Sequence, residues 1–244
     1  MLLSLLYHRV GNGKYANSLS FFQSHLSWIQ EKYDPLHPGD SLKKGNPLCL
    51  TFDDASFDFY YYIFPLLKKF NLKAVLSVPV AFIPEETSLT SEERLEKIHL
   101  LKDKAPPVPS PAYCTWGELR EMHTSGLVHI ASHSINHLPL TSSDVDPEYE
   151  LLSSKIILEK NLQTSITTFV YPYGKFNSHI HKLAKKHYPF IMRIGNAANS
   201  NWQNTNQLFY RINADALPHK SAPFHPIKYL KYHLKYLLNT LRKK

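Results

Sequence analysis

The feature that most constrains the fold of this chain is one arrangement met three times: a short apolar run that stops at a polar motif. Leu48 to Phe52 stops at Asp53-Asp54, Leu127 to Ala131 at Ser132-His133-Ser134-Ile135-Asn136-His137, and Thr167 to Val170 at Tyr171-Pro172-Tyr173-Gly174. Unbroken apolar runs of this kind mark strands buried on both faces, as in a parallel sheet. In parallel α/β folds the C-terminal ends of the strands share one rim, where functional residues gather. Three motifs distant in sequence are therefore expected to meet on that rim.

Neighbouring strand residues point opposite ways, so Asp53 and Asp54 can take different work, one holding a metal and the other handling a proton. His133 and His137 add two imidazoles four residues apart. Two imidazoles and one carboxylate make a three-ligand face that leaves coordination positions open, as catalytic zinc sites require and closed structural sites do not. Taken singly, each piece has a plainer reading, the Asp pair as cap or turn residues and the histidines as surface groups. Their conjunction behind three strands is what points to a site.

An Asp pair, an H-x-x-x-H and a Y-P-Y-G in this order resemble the polysaccharide deacetylases, the NodB-homology family of metal-dependent carbohydrate esterases. Thr51 to Asp54, His133 with His137, and Tyr171 to Gly174 carry the resemblance. Tyr7-His8-Arg9-Val10 is similar to the opening strand of one branch, and Thr115-Trp116 through Ser132 to the helix and strand leading into the histidines. The resemblance implies an α/β fold, a distorted, incomplete (β/α) barrel. It implies an N-deacetylase acting on an N-acetylated sugar in an oligosaccharide, polysaccharide or lipid-linked glycan. By resemblance, Asp54, His133 and His137 hold one divalent metal, with zinc the expected ion for such a donor set. Asp53 is then the general base, and Tyr173 offers its backbone N–H to the oxyanion, with Tyr171 beside it at the substrate. Arg211 stands near the point where the family often pairs an arginine with the catalytic carboxylate; a structural salt bridge is the plainer alternative. Ala55 replaces a usual Gly, and the Asp- and Trp-bearing fourth motif and final Leu-x-His have no clear copy. The general acid is thus open between His8, at the end of the first strand, and His219 in Leu217-Pro218-His219. A silent glycan-binding module and an amide hydrolase or deformylase acting on a non-sugar are the rival functions.

Composition narrows the class. A chain of 244 residues with 43% hydrophobic and 20% charged residues suits a globular α/β barrel, and its apolar runs fall short of a bilayer span. Met1 to Val10 reads as a first core strand, not a secretory leader, and Cys49 and Cys114 read as free thiols, so a cytoplasmic location is expected. Of the net charge of +8, Lys220, Lys228, Lys231, Lys235, Arg242, Lys243 and Lys244 supply +7, leaving +1 for the rest (8 − 7). No nucleic-acid reader motif accompanies that charge, so nucleic acid is not an expected partner. Residues 1–222 are read as the catalytic domain and 223–244 as a basic amphipathic helix within or appended to it. Ile227, Leu230, Leu234, Leu237, Leu238 and Leu241 recur at helical steps with lysines between them. Such a helix either closes the barrel with its leucines in the core or lies peripherally on anionic lipid.

Along the chain, Leu2 to Leu6 predicts a buried strand, Ser18 to Tyr33 a capped helix, and Phe57 to Phe70 a helix broken near Pro65 with Tyr60 to Tyr62 counted as core. Ala74 to Val78 predicts a strand, and Ile83 to Pro111 an insertion with a helix over Ser91 to Leu101 and a polyproline connector from Pro106 to Pro111. Thr115 opens a helix with a capping box to Glu118, stopped at Gly126. Asp146 caps a helix to Leu162 whose apolar face is read as Leu151, Leu152, Ile156 and Leu158. A helix over Asn177 to Lys186 and strands over Phe190 to Ile194 and Leu208 to Asn213 complete the alternation.

Overall fold

A computed structural model describes residues 1–42, 45–100, 108–203 and 206–241. Its elements run β1 (Leu3–Tyr7), β2 (Arg9–Val10), β3 (Ala16–Asn17), α1 (Leu19–Lys32), β4 (Asp34–Pro35), β5 (Pro47–Phe52), α2 (Phe64–Phe70), β6 (Ala74–Val78), α3 (Ser91–Leu100), α4 (Trp116–Thr124), β7 (Val128–Ser132), α5 (Pro147–Leu162), β8 (Thr168–Val170), α6 (Ser178–His187), β9 (Phe190–Ile194), β10 (Leu208–Asn213) and α7 (Pro226–Leu241). The strands pair in parallel in the order β1, β10, β9, β8, β7, β6, β5, and β5 returns to β1, which closes a ring of seven. This is the distorted, incomplete barrel that the alternation and the resemblance predicted. It has one strand fewer than a complete (β/α)₈ barrel, and β7 meets β8 at a single registered pair, Ser132 with Phe169.

Strand parity decides what fills the ring. Leu2, Cys49, Val75, Ala131, Val170, Met192 and Phe209 form one buried cluster, separate from the larger one shared with the helices. Successive residues of a strand face opposite sides, so the side that holds Cys49, Val75, Ala131 and Phe209 continues upward through Thr51 and Asp53, Ser77, His133, and Arg211. An apolar plug thus floors the barrel, and polar groups stack above it toward the C-terminal rim. The opposite parity, including Leu5, Leu50, Leu76, Ile130 and Ile212, packs outward against α1, α4, α5 and α6.

The helices begin where their caps place them. Ser18 Oγ accepts from the Phe21 amide, Asn177 Oδ1 from Ile180, and Asp146 from Glu148 and Tyr149. Thr115 and Glu118 make the predicted capping box, and Gly126, at φ 71°, follows the helix in the left-handed region glycine accepts without strain. The break near Pro65 is observed: a π-turn over Phe59–Ile63 leads into α2, with Pro65 in its first turn, where a missing N–H costs nothing.

Three expectations are corrected. Phe57, Phe59 and Phe64 are core, but Tyr61 is exposed and Tyr60 and Tyr62 are only half-buried, Tyr60 donating to Glu121 at 2.6 Å. On α5, Leu152 and Ile156 face solvent while Glu150 and Ser154 are buried, because both polar residues have partners inside: Ser154 Oγ donates to the Glu150 carbonyl at 2.6 Å and lies 2.7 Å from Ser132 Oγ, and the partners of Glu150 are described below. The leucines of α7 do not close the barrel: Tyr232 is its one buried residue, and the six aliphatic side chains are exposed. Pro106 and Pro107 of the expected connector, Leu101, and the terminal Arg242, Lys243 and Lys244 lie outside the described residues. No helix among the described residues is long and apolar enough to cross a membrane.

Candidate metal centre and active site

Asp53 stands on the inward parity of β5, one step past its end, and is buried. Arg211 rises from the inward parity of β10 across the ring and grips it with two bonds, Nη1 to Oδ1 at 2.6 Å and Nη2 to Oδ2 at 2.9 Å. Ser77 Oγ donates to Oδ1 at 2.7 Å, and Arg211 Nη1 also reaches Thr51 Oγ1 at 3.2 Å. Burial by itself would raise the Asp53 carboxyl, but the Arg211 guanidinium, with His133 and His8 beyond it, outweighs burial and holds the group well below the usual carboxylate range. Asp53 is accordingly an ionised carboxylate inside the barrel mouth.

Asp54 turns the other way. The chain enters the left-handed region at Asp54 (φ 75°) and Ala55 (φ 53°), which swings the second carboxylate off the strand's alternation and toward the loop after β7. There Asp54 Oδ1 lies 3.7 Å from His133 Nε2 and 3.4 Å from His137 Nε2, and the two Nε2 atoms are 3.1 Å apart. The three groups form a cluster whose donor atoms all lie within 4.8 Å of one another. Around an ion with bonds of about 2.0–2.1 Å, ligand atoms at tetrahedral angles stand about 3.3–3.4 Å apart, so this triad fits a small divalent metal.

The histidine tautomer fits as well. His133 Nδ1 is 2.8 Å from the Val170 carbonyl, which can only accept, so Nδ1 carries the proton and Nε2 keeps its lone pair for the cluster. Burial, with His137 nearby, pushes His133 down to about 4 against the pull of Asp53 and Asp54, leaving it neutral as a metal ligand must be. Burial raises Asp54, but His137, His8 and His133 together bring it below its ordinary value. Glu150 explains the loop between the histidines: buried on α5, it accepts from the Ile135 and Asn136 amides at 2.7 and 3.1 Å and from the Asn136 side chain at 2.7 Å.

A third group borders the cluster. His8, at the end of β1, is clamped by Asp215, whose Oδ1 accepts the His8 backbone N–H at 3.0 Å and whose Oδ2 lies 2.6 Å from Nδ1. Burial lowers an imidazole, but the Asp215 bond and the nearby Asp54 and Asp53 carboxylates overcome it and raise His8 to about 9. His8 is therefore an imidazolium at neutral pH, with Nε2–H as the proton not engaged by Asp215. The rival, His219, is exposed on a turn beyond β10, its Nδ1 3.2 Å from Ser221 Oγ, and is not brought to this cluster.

The two tyrosines separate. Tyr173 sits at the rim, 58% exposed, in a left-handed turn (φ 56°), its ring 4.8 Å from that of His137. Tyr171, expected at the substrate, is instead wholly buried: it stacks on Phe176 at 4.7 Å and its hydroxyl donates to His181 Nδ1 at 3.0 Å. His181 Nε2 in turn lies 2.7 Å from the Asn206 carbonyl, so Nδ1 is the acceptor and the hydroxyl is fully engaged. Strand parity explains it, since Tyr171 continues the outward side of Phe169.

With the geometry in hand, comparison with known proteins is specific. A family model, polysaccharide deacetylase, matches residues 41–188, more than half of the chain. The chain belongs to the polysaccharide deacetylase family. Among curated members, the polysaccharide deacetylase-like YxkH of Bacillus subtilis is 27% identical over 196 residues, 75% of this chain and 60% of that protein. The poly-β-1,6-N-acetyl-D-glucosamine N-deacetylase of Staphylococcus aureus is 25% identical over 209 residues, 72% of this chain and 65% of that protein. The chain thus spans less than two thirds of the length of these relatives. The deacetylase PplD of Streptococcus pyogenes, solved with acetate, superposes with a TM-score of 0.72 at 21% identity, over 91% of this chain and 96% of that one, which establishes the fold.

Within this family member the three motif loops carry a common backbone signature. Asp54, Ala55, Ser134, His137 and Tyr173 all have positive φ, half of the non-glycine residues that do so among the described residues. Such conformations cost of order 1–3 kcal/mol each and collect at functional sites. They account for the Gly that the family usually has at position 55: the site demands a left-handed backbone, which Ala55 adopts under strain. Sequence reasoning missed Asp215, Ser77 and Glu150. Asp215 could have been found by the strand-end rule itself, since it follows β10 by two residues; Ser77 and Glu150 offer no local signal.

Proposed function

We propose that the protein is a metal-dependent hydrolase that removes the N-acetyl group from an amino sugar within a glycan. One observation carries the reading. An ionised carboxylate, Asp53, has Oδ2 3.9 Å from the ligating nitrogen of His133, in a site that also holds an imidazolium, His8, so base and acid stand ready beside one three-ligand cluster. A divalent ion held by Asp54, His133 and His137 supplies Lewis acidity that activates water and polarises an amide carbonyl at neutral pH. Zinc is the ion this donor set favours.

The rest of the chemistry belongs to side chains of the chain. Asp53, kept ionised and oriented by Arg211 and Ser77, accepts the proton of the attacking water as a carbon–oxygen bond forms at the amide carbon. The Tyr173 backbone N–H, in its left-handed turn at the rim, is suited to donate to the developing oxyanion. His8 gives its Nε2 proton to the nitrogen as the carbon–nitrogen bond breaks, releasing a free amine and acetate, and Asp215 stabilises the imidazolium that must be present beforehand. The names of the curated relatives favour a polymer of N-acetylglucosamine as the substrate class.

Acetate release from N-acetylglucosamine oligomers by zinc-loaded protein tests this. Acetate with stoichiometric free amine supports it. Formate release from a formamide instead would move the activity to a deformylase, and glycan binding without either product would leave a silent binding module.

A further inference from the structure

The helix α7 is docked with the less apolar of its two hydrophobic faces inward. At about 100° per residue, Ile227, Leu230, Leu234, Leu237, Leu238 and Leu241 fall within an arc of about 100°, while Tyr229, Tyr232 and Tyr236 lie on the far side. The tyrosine side faces the body: Tyr232 is buried, Tyr229 and Tyr236 are half-buried, and the Ala198 N–H donates to the Tyr232 carbonyl at 3.2 Å. The aliphatic side faces out, each of its six residues between 50% and 81% exposed. Lys228, Lys231 and Lys235 run along one flank between the two, all exposed. No Asp or Glu occurs anywhere after Asp215.

The anchoring contacts place this helix at the end of the barrel opposite the candidate metal centre. Phe224, just ahead of α7, stacks on Tyr33 at 4.3 Å, and Tyr33 caps the end of α1 beside Asp34, which pairs with Pro47 at the start of β5. Ala198 adjoins Asn199, which pairs with Leu2 ahead of β1. Both contacts are therefore at the N-terminal ends of strands, whereas Asp53, His133 and His8 stand at the C-terminal ends.

We infer that the outward face of α7 is a docking surface for an anionic lipid bilayer, on which the helix lies in the plane of the interface. The chemistry singles out that occupant. An aliphatic stripe flanked by lysines, on a 16-residue helix with no acid, matches acyl chains beside anionic headgroups. A second copy of the chain would bring another acid-free, lysine-flanked helix against this one, with no carboxylate on either to answer the lysines. The metal centre on the opposite rim then points away from the lipid surface, toward glycan in the aqueous phase. This rests on the helix alone and holds whatever the site catalyses.

Sedimentation of the intact chain with phosphatidylcholine vesicles, with and without phosphatidylglycerol, tests it. Expected are binding to the anionic vesicles that high salt weakens and little binding to neutral ones. Leu234→Glu with Leu237→Glu abolishes the binding, and replacing Lys228, Lys231 and Lys235 by Gln lowers partitioning on the order of 100-fold. The substituted side chains are exposed, so thermal melts of both variants should match that of the parent; if a variant unfolds, the salt and lipid dependence of the parent still decides. Absence of binding to anionic vesicles overturns the proposal. So does a lipid-free dimer, seen by light scattering, that the Leu→Glu pair dissociates, because the face would then belong to a second copy.

Discussion

Arg211 and Asp53 meet across the inside of the barrel through two parallel hydrogen bonds, 2.6 and 2.9 Å long, with both side chains buried. The fork geometry matches both carboxylate oxygens at once. One consequence is structural: Arg211→Met leaves Asp53 without its counter-charge, and removing one partner of a buried pair costs about 3–5 kcal/mol. Denaturant titration measures it. The other is functional: Arg211→Lys keeps the charge but loses the paired hydrogen bonds, so burial of the Asp53 carboxyl is less fully offset and the acid limb of the kcat/KM profile moves to higher pH.

His8 and Asp215 should set the alkaline limb. The acid must be protonated to work, and Asp215 is the largest contribution raising His8 to about 9 against burial. In Asp215→Asn the imidazolium loses that support, its pKa falls, and activity is lost at lower pH than in the parent. His8→Ala should lower turnover about 10²- to 10⁴-fold, and His219→Ala should leave it unchanged. Turnover profiles across pH for the three variants decide between the two histidines.

The two adjacent carboxylates should separate by assay. Calorimetric titration with zinc is expected to show one site per chain in the parent, retained in Asp53→Asn, weakened in Asp54→Asn and lost in His133→Ala. Acetate release should fall about 10²- to 10⁴-fold in Asp53→Asn despite the bound metal. Equal metal loss in Asp53→Asn and Asp54→Asn would mean that both carboxylates ligate.

Buried neutral histidines away from the site predict acid lability. His25 donates from Nδ1 to the Lys220 carbonyl, accepts from the Tyr7 hydroxyl at Nε2, and is packed by the rings of Tyr7, Phe21 and Phe224. Burial lowers it from 6.5 to about 4, and burial, with His37 nearby, does the same to His129. A depressed folded pKa means that the unfolded chain takes up protons first, so stability is whole above about 6.5 and declines as the pH falls toward 4. At about 1.4 kcal/mol per pH unit, His25 contributes about 3 kcal/mol to that decline. Melting temperature against pH should therefore drop across this window, and His25→Gln should flatten the drop.

Much of the fold was legible because it is written in local periodicity. Apolar runs near the observed bounds of β1, β5, β7 and β8, caps at Ser18, Thr115 and Asp146, and the Pro65 break are each decided within a few residues. Tyr60 to Tyr62 and the stripe on α5 were misread for the opposite reason. Whether Leu152 is buried depends on what packs over it, and Glu150 inside its stripe is tolerated because the loop between the histidines supplies three donors.

By itself the sequence determined that three strand ends would share a rim and that Asp53, Asp54, His133 and His137 would stand on it, since each motif directly follows an apolar run and strands alternate with helices along the chain. Tertiary structure alone decided which histidine joins them, because His8 acquires its charge from Asp215, 207 residues away, across a contact that no local pattern encodes. It decided the fate of Tyr171, drawn under α6 by His181. It also decided which face of α7 meets the body: the helical period makes a leucine face and a tyrosine face, but only the surface available at the barrel's floor selects between them.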